Sequence, residues 1–472
     1  MTPVETRPAS EPAANKRRRH MFALTSLGGA GTVTGSKHLL TLDGHRILID
    51  CGLFQGLKNL RELNWAPFPV DPRSIDAIVL THAHLDHSGY LPKIVREGFR
   101  GRVFATDTTC NVAALILKDS GYIQEKDADY ANRKSYSKHK PALPLYGVRD
   151  AERAVEAFTA VPYHKTVSLP GGATLTFRHA GHILGAATAE IGWGGKKILF
   201  SGDLGRYGDP VMVDPETVSK ADYVVVESTY GNRSHDTADP VEQLGAVIEK
   251  TVARGGTVVI PAFAVGRAQS LLYYIWALKQ AGRIRDVPVY LDSPMAINAS
   301  ELLCAHLDDH RLSPPLCKQV CDIATYVREV EDSKEITANA HPKIIISASG
   351  MATGGRVLHH MKSFAPDRKH TILFSGFQAA GTRGRAMLQG ARETKIHGQW
   401  VPVRAEIAEL PMLSAHADGD EIMRWLSALR RPPQQTFVVH GEPDASEALR
   451  VRIGRELGWH VAVPRQDQVF TL

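Results

Sequence analysis

The segment His82-Ala83-His84-Leu85-Asp86-His87 holds four side chains able to ligate a metal. It follows the apolar run Ile75-Asp76-Ala77-Ile78-Val79-Leu80, which predicts a buried strand. It precedes Ser88 to Val95, where the pattern turns helical, with Pro92 tolerated in the first turn. The ligands therefore fall on a strand-to-helix loop. His82 and His84 are two apart, so in an extended segment they point the same way. Asp86 and His87 come after the chain has begun to turn and are expected to face a second point. One short loop could thus serve two metal ions. Imidazole and carboxylate together suit zinc, with iron and manganese also within range.

Other predicted elements end in the same chemistry. Thr174 to Arg178 leads into His179-Ala180-Gly181-His182, Lys197 to Phe200 into Ser201-Gly202-Asp203, and Ala221 to Val226 into Glu227-Ser228-Thr229. Late in the chain, Gln435 to Val439 ends in His440-Gly441-Glu442, and Ser414-Ala415-His416-Ala417-Asp418 precedes a helical pattern. Rigid sheets hold active groups at such strand ends. Near the start, His38 to Leu42, Asp43-Gly44 and Arg46 to Ile49 predict a tight hairpin. Asp50 ends it, at the edge where the metal loop emerges, and is expected to orient a ligand His. Together, His82, His84, Asp86, His87, His182, Asp203 and His440 suffice for two metal sites sharing one carboxylate. Such a pair clamps the attacking and leaving oxygens of a phosphoryl displacement.

From Ser228 onward, strand and helix patterns alternate, the signature of a doubly wound parallel sheet. Ligands bind such sheets at the carboxyl ends of the strands. Three turns there are rich in small residues and carry Arg near the next helix start. They place Arg267, Arg356, Arg383 and Arg385, with Ser347, Ser349 and Gly350 as positions where a phosphate could approach backbone N–H groups. A phosphate-rich ligand is expected.

Composition narrows the classes. The 472 residues allow two or three domains. No apolar run is long enough to span a membrane. Residues 1–20 are rich in Pro, Ala, Glu, Lys and Arg and are expected to be a disordered tail, with Lys16-Arg17-Arg18-Arg19 as a solvated charge cluster. Half of the formal charge of +6 sits in that tail, so the body argues only weakly for a polyanionic partner. Five Cys without a Cys-x-x-Cys pair suggest free thiols in a reducing, cytoplasmic setting. Cys317 and Cys321, one helical turn apart, are expected to pack in a core.

On these motifs the chain resembles the metallo-β-lactamase superfamily. His82-Ala83-His84-Leu85-Asp86-His87 matches its signature, and Asp50, His182 and Asp203 match its other early motifs. More narrowly it is similar to the β-CASP branch of nucleic-acid-processing nucleases, whose further motifs match Glu227, His416 and His440. The resemblance runs from Phe22 to Leu472. It implies an α/β fold: an αββα sandwich interrupted by a β-CASP cap with a doubly wound parallel sheet. The expected divisions are residues 1–20 as tail, 21–227 and 405–472 as the two parts of the sandwich, and 228–404 as the cap.

The resemblance further implies two zinc ions, one on His82, His84 and His182, the other on Asp86, His87 and His440, with Asp203 bridging. It makes Asp86, Asp203, Glu227 and His416 the catalytic set. His416, oriented by Glu227, would be the general acid. A leaving alkoxide needs a proton, and His supplies one near neutral pH. A His in the last motif, as at His440, favours RNA. The expected partner is single-stranded RNA, with endonuclease action favoured over exonuclease, as in short bacterial and archaeal relatives of the pre-mRNA 3′-end-processing endonuclease. A homodimer is left open. Two rivals stand beside this reading. A hydrolase of another ester or thioester on the same fold would not need the Arg-bearing insert. A non-catalytic RNA-binding subunit would have lost metal ligands that this chain keeps.

Overall fold

The computed structural model describes residues 21–472 except Tyr136, Phe377 and Ala380; the expected tail and its basic run lie outside the described residues. Two seven-stranded sheets face each other. The first runs Val469–Thr471, Phe22–Gly28, Lys37–Leu42, His45–Ile49, Ala77–Val79, Arg102–Ala105, Phe158–Ala160. The second runs Val461–Ala462, Gln435–Val439, Tyr223–Glu227, Lys196–Phe200, Ala187–Trp193, Thr174–His179, Val167–Ser168. The expected hairpin is present: Asp43 (φ 49°) and Gly44 (φ 91°) both take positive φ, as the favoured two-residue turn requires.

Strand periodicity explains why these segments are apolar on both faces. Tyr223 and Val225 enter the core between the sheets, while Val224 and Val226 pack outward under helices. Phe437 and Val439 likewise face inward and Val438 outward. Ile78 and Leu48 pack outward, under the helix Asp107–Lys134, through Val112, Ala113, Ile116 and Leu117. On the other side the helices Gly419–Leu426 and Pro443–Leu457 cover the second sheet through Ile422, Leu426, Leu449 and Ile453. This is the expected αββα sandwich. Phe437 is fully buried at its centre, with the Phe470 ring 4.8 Å away. Phe437→Ala is expected to cost about 3–5 kcal/mol, the usual cost of such a cavity, read by denaturant unfolding.

The cap is a six-stranded sheet in the order Thr325–Tyr326, Val289–Leu291, Ile344–Ser347, Val258–Pro261, Thr371–Phe374, Glu406–Glu409, parallel throughout. Alternate residues again serve two cores. Val258, Ile260, Ile344 and Ile346 pack on Arg267–Gln280 and its neighbours, while Val259, Ile345, Ile372 and Phe374 pack on Val357–Phe364. The doubly wound sheet is as expected, but its edge strand reaches Glu409. The cap sheet thus extends beyond the expected boundary at Arg404. Just before that strand, Gln399–Pro402 forms a hairpin with Glu393–Ile396. No described helix is long and apolar enough to cross a membrane.

Candidate metal centre

The loop after the strand Ala77–Val79 is held by its neighbours through backbone contacts. Cys51 N donates to the His87 carbonyl at 2.6 Å, Leu53 N to Leu85 at 2.8 Å and Ser36 N to Asp86 at 2.8 Å. A Cβ on Gly52 would lie 1.6 Å from the Asp86 carbonyl oxygen, so only glycine permits this crossing. The chain then turns into the short helix Leu85–Ser88 and the helix Leu91–Arg96, with Pro92 in its first turn.

Two groups of donors meet at the loop ends of the sheets. In the first, His84 Nδ1 lies 3.2 Å from both His82 Nε2 and His182 Nε2, and Asp203 Oδ2 lies 3.5 and 3.7 Å from those two nitrogens. Donors about 2.1 Å from one tetrahedral ion stand roughly 3.3 Å apart, so this spacing fits a metal. In the second, His440 Nε2 lies 3.7 Å from Asp86 Oδ2, and Asp203 Oδ1 lies 3.2 Å from His87 Nε2 and 3.7 Å from His440 Nε2. His87 Nε2 and Asp203 Oδ1 are buried without a hydrogen-bond partner, although they are neighbours. Buried polar atoms are rarely left so. The residues fit two metal ions with Asp203 between them.

The other face of most rings is tethered. His87 Nδ1 is 2.8 Å from Asp50 Oδ2, whose carboxylate also accepts from Thr81 N and Oγ1. His440 Nδ1 is 2.7 Å from Ser36 Oγ, His82 Nδ1 is 3.2 Å from Thr81 Oγ1, and His182 Nδ1 is 3.3 Å from the Ala415 carbonyl. Such partners set ring orientation and tautomer. Asp50 (φ 59°) and His440 (φ 49°) both hold left-handed backbone, a strain that clusters at functional sites. Burial, reinforced by the neighbouring imidazoles, holds His82, His182 and His440 well below the ordinary imidazole value. They are neutral near pH 7, with lone pairs to offer. Burial works the same way on His87, but Asp203 and Asp50 outweigh it and raise that ring well above the ordinary value.

His416 sits beside both groups. Its Nδ1 is 3.2 and 3.3 Å from the two Glu227 oxygens and 3.9 Å from Asp203 Oδ2. Glu227 is fully buried and is itself fixed by Leu204 N at 2.6 Å and Thr229 N at 3.2 Å. Burial disfavours the imidazolium of His416, yet Glu227 and Asp203 lift it to about 9. Asp418 plays a separate part: it caps the helix Gly419–Leu426 through Asp420 N and Glu421 N.

Three adjacent cap turns reach this centre. The Phe263 ring lies 6.4 Å from that of His84, and Cβ atoms on Gly350 and Gly376 would sit 2.8 and 3.7 Å from Phe263. The turn after Val258–Pro261 thus borders His84, with the turns that hold Gly350 and Gly376 packed on Phe263. The expected phosphate contacts divide, however. The Ser347 hydroxyl donates to the Asp292 carbonyl and is fully buried. Arg356 bonds Asp292 and the Val327 and Arg328 carbonyls, and Arg383 bonds the carbonyls of Ala352, Thr353 and Lys395. These three brace the cap turns. Gly350 is covered by Phe263. Ser349 is half-buried and Arg385 exposed, while Arg267 is buried beside Phe263 and Gly376 with its Nε unpartnered.

Sequence reasoning missed Ser36, Thr81 and His235. His235 Nε2 lies 2.8 Å from the His416 carbonyl oxygen, and its backbone N donates to Asp418. Thr81 directly precedes the motif and was the most findable of the three.

An αββα sandwich with clustered His and Asp at its loop ends, under an inserted parallel α/β cap, is the build of a metal-dependent hydrolase. Comparison with known families agrees in order along the chain. Residues 45–255 match the beta-lactamase superfamily domain, 268–387 the Beta-Casp domain, and 400–464 the Zn-dependent metallo-hydrolase RNA specificity domain. A ribonuclease of Thermus thermophilus is 36% identical over 439 residues, covering 90% of this chain and 94% of that one. Transcription termination factor FttA of Methanosarcina mazei is 31% identical over 457 residues, 92% of this chain and 69% of that one. A crystal structure of a protein of unknown function from Enterococcus faecalis shares the fold, with TM-score 0.53 at 12% identity over 96% of this chain and all of that one. The chain belongs to the β-CASP branch of the metallo-β-lactamase superfamily.

Proposed function

We propose that this protein is a zinc-dependent ribonuclease that hydrolyses phosphodiester bonds in single-stranded RNA, as an endonuclease with exonuclease ability. The observation that carries the reading is the reach of Asp203, whose two oxygens address two separate histidine groups. His82, His84 and His182 would hold one zinc, Asp86, His87 and His440 the other, and Asp203 would bridge. Bound there, zinc supplies Lewis acidity and lowers the pKa of water. The protein's own work is positional. Asp50, Ser36 and Thr81 fix the ligand rings, and His416, held by Glu227, hands a proton to the leaving oxygen.

The RNA specificity match at residues 400–464 and the ribonuclease relative support RNA as substrate. Arg267, Ser349 and Arg385 would contact its backbone. The Arg267→Ala/Arg385→Ala double variant is expected to weaken binding to all sequences. The salt slope should fall by about one for each phosphate that is no longer neutralised. Fluorescence anisotropy across a salt series reads both.

Ser36→Ala frees one face of His440, and Asp50→Asn weakens the hold on His87. Each is expected to cost about 10–100-fold in metal affinity, the range seen when a ligand's outer partner is removed. Competition with a chromophoric chelator measures it.

The deciding experiment combines elemental analysis with digestion of one RNA labelled separately at each end. Two zinc ions per chain and internal cuts are expected. Metal without RNA cleavage would favour the hydrolase of another ester, and RNA binding without metal the non-catalytic subunit.

A further inference from the structure

Folding brings a third cysteine to the Cys317–Cys321 pair. Cys304 stands near the end of the cap helix Pro294–Ala305, and the other two share the helix Pro314–Cys321. Cys304 Sγ lies 2.8 Å from Cys317 Sγ and 3.2 Å from Cys321 Sγ, and all three sulfurs fall within 4.8 Å of one another. The three sulfurs thus converge on one another at the edge of an apolar cluster that includes Cys317. Cys317 is buried, while Cys304 and Cys321 border a cavity of about 400 Å³, lined also by Glu301, Lys318, Asp322 and Tyr326. The Tyr326 hydroxyl lies within hydrogen-bonding reach of Ser300 and Cys321.

We propose that Cys304, Cys317 and Cys321 form a three-thiolate site for a single zinc ion, separate from the hydrolytic centre, with its fourth position facing the cavity. Three sulfurs converging from two helices suit a thiophilic ion better than a disulfide, which would join two and leave the third. On binding, the ion replaces the three thiol protons, which pass to the buffer.

The ion would tie the two helices together at a mechanically relevant place. The segment after Cys304 carries His306 and Asp309, which meet Thr108 on the long sandwich helix, His306 Nδ1 at 3.0 Å from Thr108 Oγ1. The site thus stiffens the footing of the cap on the catalytic domain.

The test uses the reduced full-length protein titrated with Co²⁺ as a stand-in for zinc. Thiolate ligation produces an intense near-ultraviolet charge-transfer band that a His/carboxylate centre does not. The band is expected to saturate at one thiolate-bound Co²⁺ per chain once excess Co²⁺ has filled every site, to disappear when Zn²⁺ is added, to be lost in Cys304→Ser and Cys321→Ser, and to persist in Cys110→Ser. Native alkylation of the wild type, with and without Zn²⁺, covers the event that a serine variant misfolds: zinc should protect Cys321. Absence of the band in the wild type, a band unchanged in Cys321→Ser, or a Cys304 disulfide found by mass analysis would overturn the assignment. None of these outcomes depends on the ribonuclease reading.

Discussion

His416→Ala is expected to keep its metal and its RNA affinity but to lose about 10²–10⁴-fold in the cleavage step, the usual worth of general acid catalysis. The geometry separates this residue from the donors around it. Its Nδ1 is taken by Glu227, at 3.2 and 3.3 Å, which leaves Nε2 as the nitrogen that can carry a transferable proton. Glu227 does not act alone, since its oxygens are also held by Leu204 N and Thr229 N. It is a positioning residue, and Glu227→Gln should be impaired in the same direction. The double variant should be less than additive, because the two groups work as a unit. A substrate with sulfur in place of the leaving oxygen needs little protonation and should largely rescue His416→Ala. Single-turnover cleavage of matched oxygen and sulfur substrates decides it. Equal defects on both, or loss of metal, would make His416 a structural or ligand residue.

Asp203→Asn is expected to have the larger effect of the two. One oxygen of Asp203 faces His82 and His182, and the other faces His87 and His440. An amide offers one weak acceptor and a donor where two anionic oxygens stood. It also removes the buried charge that outweighs desolvation at His87. Both ions should be lost together and cleavage should fall to the metal-free background. Asp86→Asn is the contrast, because Asp86 lies near His440 and belongs to one group alone. It should empty one site and leave the other. Zinc content after desalting reads both variants. Retention of two ions in Asp203→Asn would remove it as the bridge.

The core of the centre was legible because it is local. Spacing within His82 to His87 says how those side chains divide, and apolar runs say that a sheet carries them. Asp50 was legible through its place at the end of a hairpin strand. Ser36 was not: it is 404 residues from His440 and carries no local signal. The bracing contacts of the cap arginines are hidden for a related reason. Asp292 is a fully buried carboxylate that anchors Arg356, and nothing near Arg356 in the sequence announces it. An Arg at a helix start reads the same whether it awaits a phosphate or a carbonyl. The cap edge is hard to place from sequence because Val401-Pro402-Val403 looks like the start of a strand. Its true partner is the hairpin strand Glu393–Ile396, while Glu406–Glu409 pairs with Thr371–Phe374.

The strand Gln435–Val439 lies beside Tyr223–Glu227 and ends in His440. Its place in space is at the heart of the second sheet, but in the order of synthesis it follows the cap. Chains emerge from the ribosome amino end first, at about 5–20 residues per second. His82, His84, His182 and Asp203 of the first group, and Asp86 and His87 of the second, are made early and wait while the whole cap is translated. Only then does His440 arrive to complete the second group, along with His416 beside the first. A nascent or prematurely terminated chain therefore carries a histidine-rich pocket but no finished cutting centre. The second donor group therefore assembles only after the cap has been made.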